Sequence, residues 1–212
     1  MRFIWSKKNQ LLAKMDIQNE LGHKVDIEKE EWEEQKLAGT YVKENDIVLE
    51  LGARYGSVSC IINSKLNNKT NQVVVEPDNR VWSVLERNRY VNNCQFHIVK
   101  GFISRKKLGL ENLDNCRGYG TTFVEKTEST IPSFTLEEVK NQYNLKFNVL
   151  VADCEGFLET FLDENPTIYD DIRLIIFEAD YPVKCNYDII YRNLKSKGFT
   201  QVIYGFQNVW SK

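Results

Sequence analysis

The chain has 212 residues, 42% hydrophobic and 27% charged, with a formal net charge of −2. That length and balance exclude a disordered chain and predict one domain with a short extension. With no basic surplus a nucleic-acid partner is not expected, and with no run of ~20 apolar residues neither is a membrane span. Met1 to Lys8 lacks the apolar stretch of a signal peptide, so a cytoplasmic location is expected.

Residues 1–38 are expected to form an N-terminal helical extension. Its segment 27–37, IEKEEWEEQKL, is strongly helix-forming with few apolar anchors, and its acidic run reads as a solvated face. Within 39–212, five short runs are apolar and rich in β-branched residues: 46–51, 72–76, 95–99, 148–153 and 172–178. They read as buried parallel strands. Helical patterns at 57–66, 79–92, 135–143, 155–164 and 187–197 alternate with them, as crossover units require. Gly198 ends the last helix, and FTQVIYG and FQNVWSK, joined at Gly205, form an antiparallel pair. The expected fold class is α/β: a Rossmann-like, mainly parallel seven-stranded sheet, closed by that strand pair, with helices on both faces. Residues 67–70 and 118–128 are polar enough to be loops.

Cys60, Cys94, Cys116, Cys154 and Cys185 are odd in number, scattered and without a C-x-x-C pair, so they are expected to be reduced packing residues. His23 and His97 have no partner at metal-ligand spacing.

The strongest motif is Glu50-Leu51-Gly52-Ala53-Arg54-Tyr55-Gly56, a strand end, a glycine turn and a helix start. Gly52 permits a sharp turn, and the helix beginning near Gly56 directs free N–H groups to the same place. Arg54 stands where a dinucleotide fingerprint has its second glycine, which makes room for a pyrophosphate. A ligand without pyrophosphate but with an ammonium group suits this turn, as S-adenosylmethionine does and NAD does not. Glu76, followed by Pro77 and Asp78, ends the second strand at the distance where such folds deliver an acid to a ribose diol. The fourth strand ends in Asp153-Cys154-Glu155-Gly156 and the fifth in Glu178-Ala179-Asp180. Successive strand-end acids around a glycine turn predict a polar crevice outside the carboxyl ends of the strands.

These residues resemble the FkbM-type methyltransferases, within the Rossmann-like S-adenosylmethionine-dependent enzymes of class I. DIVLELGARYGSVS is similar to the family's first motif, VVVEPDNRVWSVLERNRYVNN to its second strand and helix, and IPSFTLEEV with FNVLVADCEGFLETFL to its run into an acid-x-Glu-Gly motif. The resemblance implies O-methylation of a hydroxyl on a sugar or small metabolite, with S-adenosylhomocysteine as product. It implies cofactor binding by Glu50, Gly52, Ala53, Gly56, Glu76, Pro77, Gly101, Phe102 and Asp153. It places Asp153 and Glu155 at the chemistry, one of them as the base. For the acceptor, Tyr119 and Thr121 lie on a loop able to close over it, and Glu178 lies at the same rim. No resident metal is expected; Mg2+ held by Asp153, Glu155 and Glu178 is the less favoured version, since no His or Asn completes the set. A degenerate binding module and an NAD-dependent oxidoreductase are the alternatives.

Overall fold

The computed structural model describes residues 15–111 and 120–212. Seven strands form one sheet: β1 (Val48–Leu51), β2 (Gln72–Glu76), β3 (His97–Lys100), β8 (Val149–Ala152), β9 (Leu174–Glu178), β10 (Thr200–Ile203) and β11 (Gln207–Ser211). The spatial order is β10-β11-β9-β8-β1-β2-β3. β3, β2, β1, β8 and β9 pair in parallel, while β11 runs antiparallel to both β9 and β10. The Rossmann-like sheet and its closing antiparallel pair are as the alternation of apolar runs predicts.

Burial on both faces explains the apolar strands. Leu49, Leu51, Val73, Val75, Leu150, Ala152, Ile175 and Phe177 point into one core. Val48, Val149, Val151, Leu174 and Ile176 point into another, against α1 (Trp32–Tyr41) and α2 (Ser57–Lys65). The two-residue period of a strand divides them. The remaining helices are α3 (Trp82–Val91), α4 (Leu136–Tyr143), α5 (Leu158–Glu164), α6 (Ile168–Asp171) and α7 (Tyr187–Ser196). α4 begins with a full capping box, in which Thr135 and Glu138 satisfy each other's backbone N–H.

Two expectations change. First, the acidic segment 27–37 is helical only from Trp32, and its acids are not all solvated: Glu34 is buried with Gln35, Leu37 and Ala38. Spacing of three and four residues puts Glu34 on the stripe that packs on α2, so it is carried inside with its neighbours. Second, 118–128 is not simply loop, because β6 (Thr122–Glu125) pairs antiparallel with β5 (Leu108–Glu111). Thr122 and Phe123 have the residue types of a strand, and β5 supplies a partner edge that local polarity does not reveal. A further parallel pair joins β4 (Phe102–Ile103) to β7 (Ser133–Phe134). Among the described residues no helix is long and apolar enough to cross a membrane.

Candidate functional site

Chain connection reverses direction across the sheet between β1 and β8, opening a crevice beyond their carboxyl ends. The cleft there is lined by Leu51, Gly52 and Arg54 after β1, by Val75, Glu76, Pro77 and Asp78 at the end of β2, and by Asp153, Cys154 and Glu155 after β8. Phe102, Ile103, Leu110, Phe123 and Phe157 add apolar walls, and Thr121 and Thr122 sit at the edge. The small β5–β6 pair therefore supplies one side of the cleft.

Of the residues expected at the site, Gly52, Glu76, Pro77, Phe102, Thr121, Asp153 and Glu155 line this cleft. Glu76 Oε2 accepts from the Arg54 backbone N–H at 2.6 Å and Oε1 from that of Asp78 at 2.7 Å. Each oxygen keeps a second lone pair for a ligand. Tyr119 lies outside the described residues. Glu50, Ala53, Gly56, Gly101 and Glu178 are not among the lining residues. Glu50 shares the strand face of Val48, so its carboxylate turns under the sheet and accepts from Ser59 Oγ at 2.7 Å and Gln72 Nε2 at 2.9 Å. Gly52, at φ 85°, is required by the protein's own backbone: a Cβ there would lie 1.6 Å from the Asp153 carbonyl oxygen. Gly101, at φ 150°, likewise meets the Pro132 carbonyl, 2.3 Å from a notional Cβ.

Beyond the cleft, toward β9, carboxyl groups accumulate. One carboxyl oxygen each from Asp153, Glu155 and Asp180 lie within 4.8 Å of one another. Glu155 stands in left-handed backbone, φ 50°, and accepts from the Gly120 N–H at 2.8 Å. Asp180 Oδ1 accepts from Tyr187 Oη at 3.1 Å, and Glu178 Oε1 from Gln207 Nε2 at 2.6 Å. Glu31, just before α1, accepts from the Ser57 hydroxyl. Glu34 is 4% exposed and has no hydrogen bond or ion pair to a described residue. Asp153 is partly exposed, with Oδ1 buried, and its carboxyl shares a hydrogen bond with that of Glu178.

Crowding shows in the acidities. Burial, then the charges of Glu34, Glu178 and Glu31, pushes Asp153 well above the usual carboxylate range. Glu34 is pushed up by burial and by Glu31 and Glu178. Burial and a shared hydrogen bond with Asp180 raise Glu155 to about 7, and burial and the Asp180 charge do the same for Glu178. Glu50 and Glu76 are each raised by burial from 4.5 to about 7.

A raised carboxyl keeps its proton in the folded chain while the unfolded chain ionises near 4.5. Stability is therefore fully present below about pH 4.5 and falls as pH climbs toward about 7. For Glu50 and Glu76 the loss is on the order of 2–3 kcal/mol each. Thermal melts of the ligand-free protein are expected to show a Tm that drops between pH 5 and pH 8; a Tm that rises over that interval contradicts the buried-acid assignment.

No protein-family model and no curated protein matches the sequence. Solved structures do. An O-methyltransferase from Bacillus cereus in complex with SAH aligns with TM-score 0.53 at 14% identity over 99% of this chain and 90% of its own. A precorrin-6y C5,15-methyltransferase from Geobacter metallireducens aligns with TM-score 0.52 at 11% identity, over 84% and 86%. A candidate RNA methyltransferase from Pyrococcus horikoshii aligns with TM-score 0.52 at 14% identity, over 97% and 96%. The chain has the Rossmann-like methyltransferase fold.

The methyltransferase fold accounts for the antiparallel β11 between β9 and β10, where a dinucleotide fold continues with a parallel sixth strand. Several residues in and beside the crevice carry no clear signal in the sequence. Glu31 and Glu34 belong to an acidic run, and only the i, i+3, i+4 relation of Glu34 to Leu37 and Ala38 hinted at burial. Leu110 and Phe123 reach the cleft through the β5–β6 pairing, which has no local signature.

Proposed function

We propose that the chain is an S-adenosylmethionine-dependent methyltransferase acting on a hydroxyl of a sugar or small metabolite, as its FkbM-like motifs imply. The observation that carries the reading is the cleft at the β1–β8 reversal, where Glu76, apolar walls and the acids after β8 meet. The residues fit the cofactor. Glu76 has unused acceptor capacity for a ribose diol, with Pro77 beside it. Phe102, Ile103, Leu110 and Phe123 offer an apolar slot for a purine. The turn Gly52-Ala53-Arg54 borders the side where the methionyl end would lie, and Gly56 opens α2 behind it. Gly101 serves the site indirectly, by letting Phe102 meet Pro132. Glu50 also acts at one remove, holding the β1 end through Ser59 and Gln72.

Bound S-adenosylmethionine would supply an electrophilic methyl group on a sulfonium. The chain's own task is to align the acceptor and take its proton, for which a carboxyl raised toward neutrality is suited. Asp153 and Glu155 are the groups in position, with Glu178 behind them and Tyr119 and Thr121 assigned to the acceptor side. The net charge of −2 and the acids at the crevice argue against a nucleic-acid acceptor and for a small neutral or cationic one.

Calorimetric titration with S-adenosylmethionine, S-adenosylhomocysteine and NAD tests this. Micromolar binding of the first two and none of NAD is expected. NAD binding alone would turn the reading to an oxidoreductase, and no binding at all to a degenerate binding module.

A further inference from the structure

Two thiols that the proposed methyl transfer does not use meet outside the cleft. Cys60 lies one turn into α2, its N–H bonded to the Gly56 carbonyl at 2.9 Å, and its side chain is fully buried. Cys94 lies on the turn between α3 and β3, half-buried, and packs against the same apolar cluster as Cys60. Both thiols are free, and they share a hydrogen bond. Both line a cavity of about 320 Å³, together with Met15, Lys69, Val91 and Asn92. Lys69 Nζ donates to the carbonyls of Asn63 at 2.7 Å and Ser64 at 2.9 Å, which anchors its ammonium at the cavity wall.

We propose that Cys94 and Cys60 form a redox modification site, at which a peroxide oxidises Cys94 and Cys60 then resolves the product as a reversible disulfide within the chain. Of the two, only Cys94 has exposed surface for an oxidant to reach. Its surroundings favour the thiolate, which is the nucleophile: the hydrogen bond from Cys60, with the charges of Lys69 and Arg89, holds it below the ordinary thiol value although burial opposes them. That hydrogen bond and burial push Cys60 up, so it remains a thiol until its partner has reacted. Thiolate character, exposure and an adjacent resolving thiol are the combination that makes a cysteine a redox sensor. Cys154 and Cys185 lack it. Burial and the charges of Asp153 and Asp180 push Cys154 up, and burial raises Cys185 to about 11.

The chemistry takes two steps. The Cys94 thiolate attacks one oxygen of hydrogen peroxide, the O–O bond breaks, hydroxide leaves, and Cys94 becomes a sulfenic acid. Cys60 sulfur then bonds to Cys94 sulfur, the S–O bond breaks, and the departing hydroxide takes the Cys60 proton as water. Two electrons have passed from the sulfurs to the peroxide. The thiols already touch, and Cys94 stands on a turn outside helix and strand, free to close the gap to the about 2.05 Å of a disulfide. The bond ties α2, which opens behind the Gly52 to Gly56 turn, to the turn before β3, and encloses β2 and α3 in one covalent loop. Restricting the unfolded chain in this way stabilises the fold. The inference does not depend on the proposed methyl transfer.

The test uses the full chain, reduced with dithiothreitol, freed of it and exposed to a few equivalents of hydrogen peroxide. Non-reducing peptide mapping by mass spectrometry is expected to find Cys60 joined to Cys94 within one chain while Cys154 and Cys185 stay reduced. The oxidised chain is expected to melt about 5–10 °C higher and to return to its first Tm on adding dithiothreitol. Cys60→Ser removes the resolving thiol, so the Cys94 sulfenic acid should accumulate and be trapped by dimedone. Cys94→Ser, at the half-buried position, should leave Cys60 reduced under the same exposure. Oxidation of Cys154 or Cys185 ahead of Cys94 in the wild-type chain overturns the proposal, as does the absence of a Cys60 to Cys94 bond within the chain.

Discussion

Asp153→Asn is expected to remove methyl transfer, lowering turnover on the order of 10³-fold, while S-adenosylmethionine affinity stays within a few-fold of wild type. Asp153 lines the crevice just after β8, and its proposed task is to take the acceptor's proton. An amide of the same shape cannot accept that proton at neutral pH. The same substitution should make the protein more stable. Asp153 sits among Glu34, Glu178, Glu31 and Glu155, whose charges oppose its ionisation. Asparagine removes a carboxyl whose ionisation the fold opposes and offers two N–H donors to neighbouring acceptors. A Tm several degrees higher than wild type with activity lost is the expected pattern, since functional sites commonly hold stability in reserve. Single-turnover assays beside calorimetry and melting check it, and equal loss of binding and turnover removes Asp153 from the chemistry.

Glu76→Ala is expected to weaken S-adenosylmethionine about 100-fold, or roughly 2.7 kcal/mol, by deleting charge-assisted acceptors for the ribose hydroxyls. Part of the effect comes through the site's shape. Glu76 accepts from the backbone N–H groups of Arg54 and Asp78, so it ties the turn after β1 to the turn after β2. Truncation leaves both donors without their carboxylate and costs about 1–3 kcal/mol of stability for each that stays unsatisfied. Glu76→Gln keeps one oxygen acceptor and should fall between the two in both measurements. A dissociation constant for Glu76→Ala equal to that of wild type disposes of the ribose assignment.

The strand-end acids were legible because a buried parallel strand announces itself as a short apolar run, and the first polar residue after it must emerge at the rim. Glu76 and Asp153 reach the cleft this way and Glu155 follows two residues on, whereas Glu178 ends β9 outside its lining. Glu50 shows where the rule stops: it lies inside β1, so the alternation of side chains turns it toward α2 and away from the cleft. Gly52 is legible as a turn glycine, but the reason no side chain fits there is tertiary, the passage of the Asp153 carbonyl across its α-carbon.

The sequence by itself determined the layer architecture, the order of parallel strands and helices along the chain, and the antiparallel close. Periodicity and turn residues are local, and local patterns suffice for elements whose burial they encode. Only the tertiary structure decided that Glu31 and Glu34 join the acids of β8 and β9, that β5 and β6 wall the cleft, and that Asp180 draws close to Asp153 and Glu155. Each depends on contacts between residues distant in sequence, where pairing edges and packing faces outweigh what a carboxylate or a polar loop prefers in isolation.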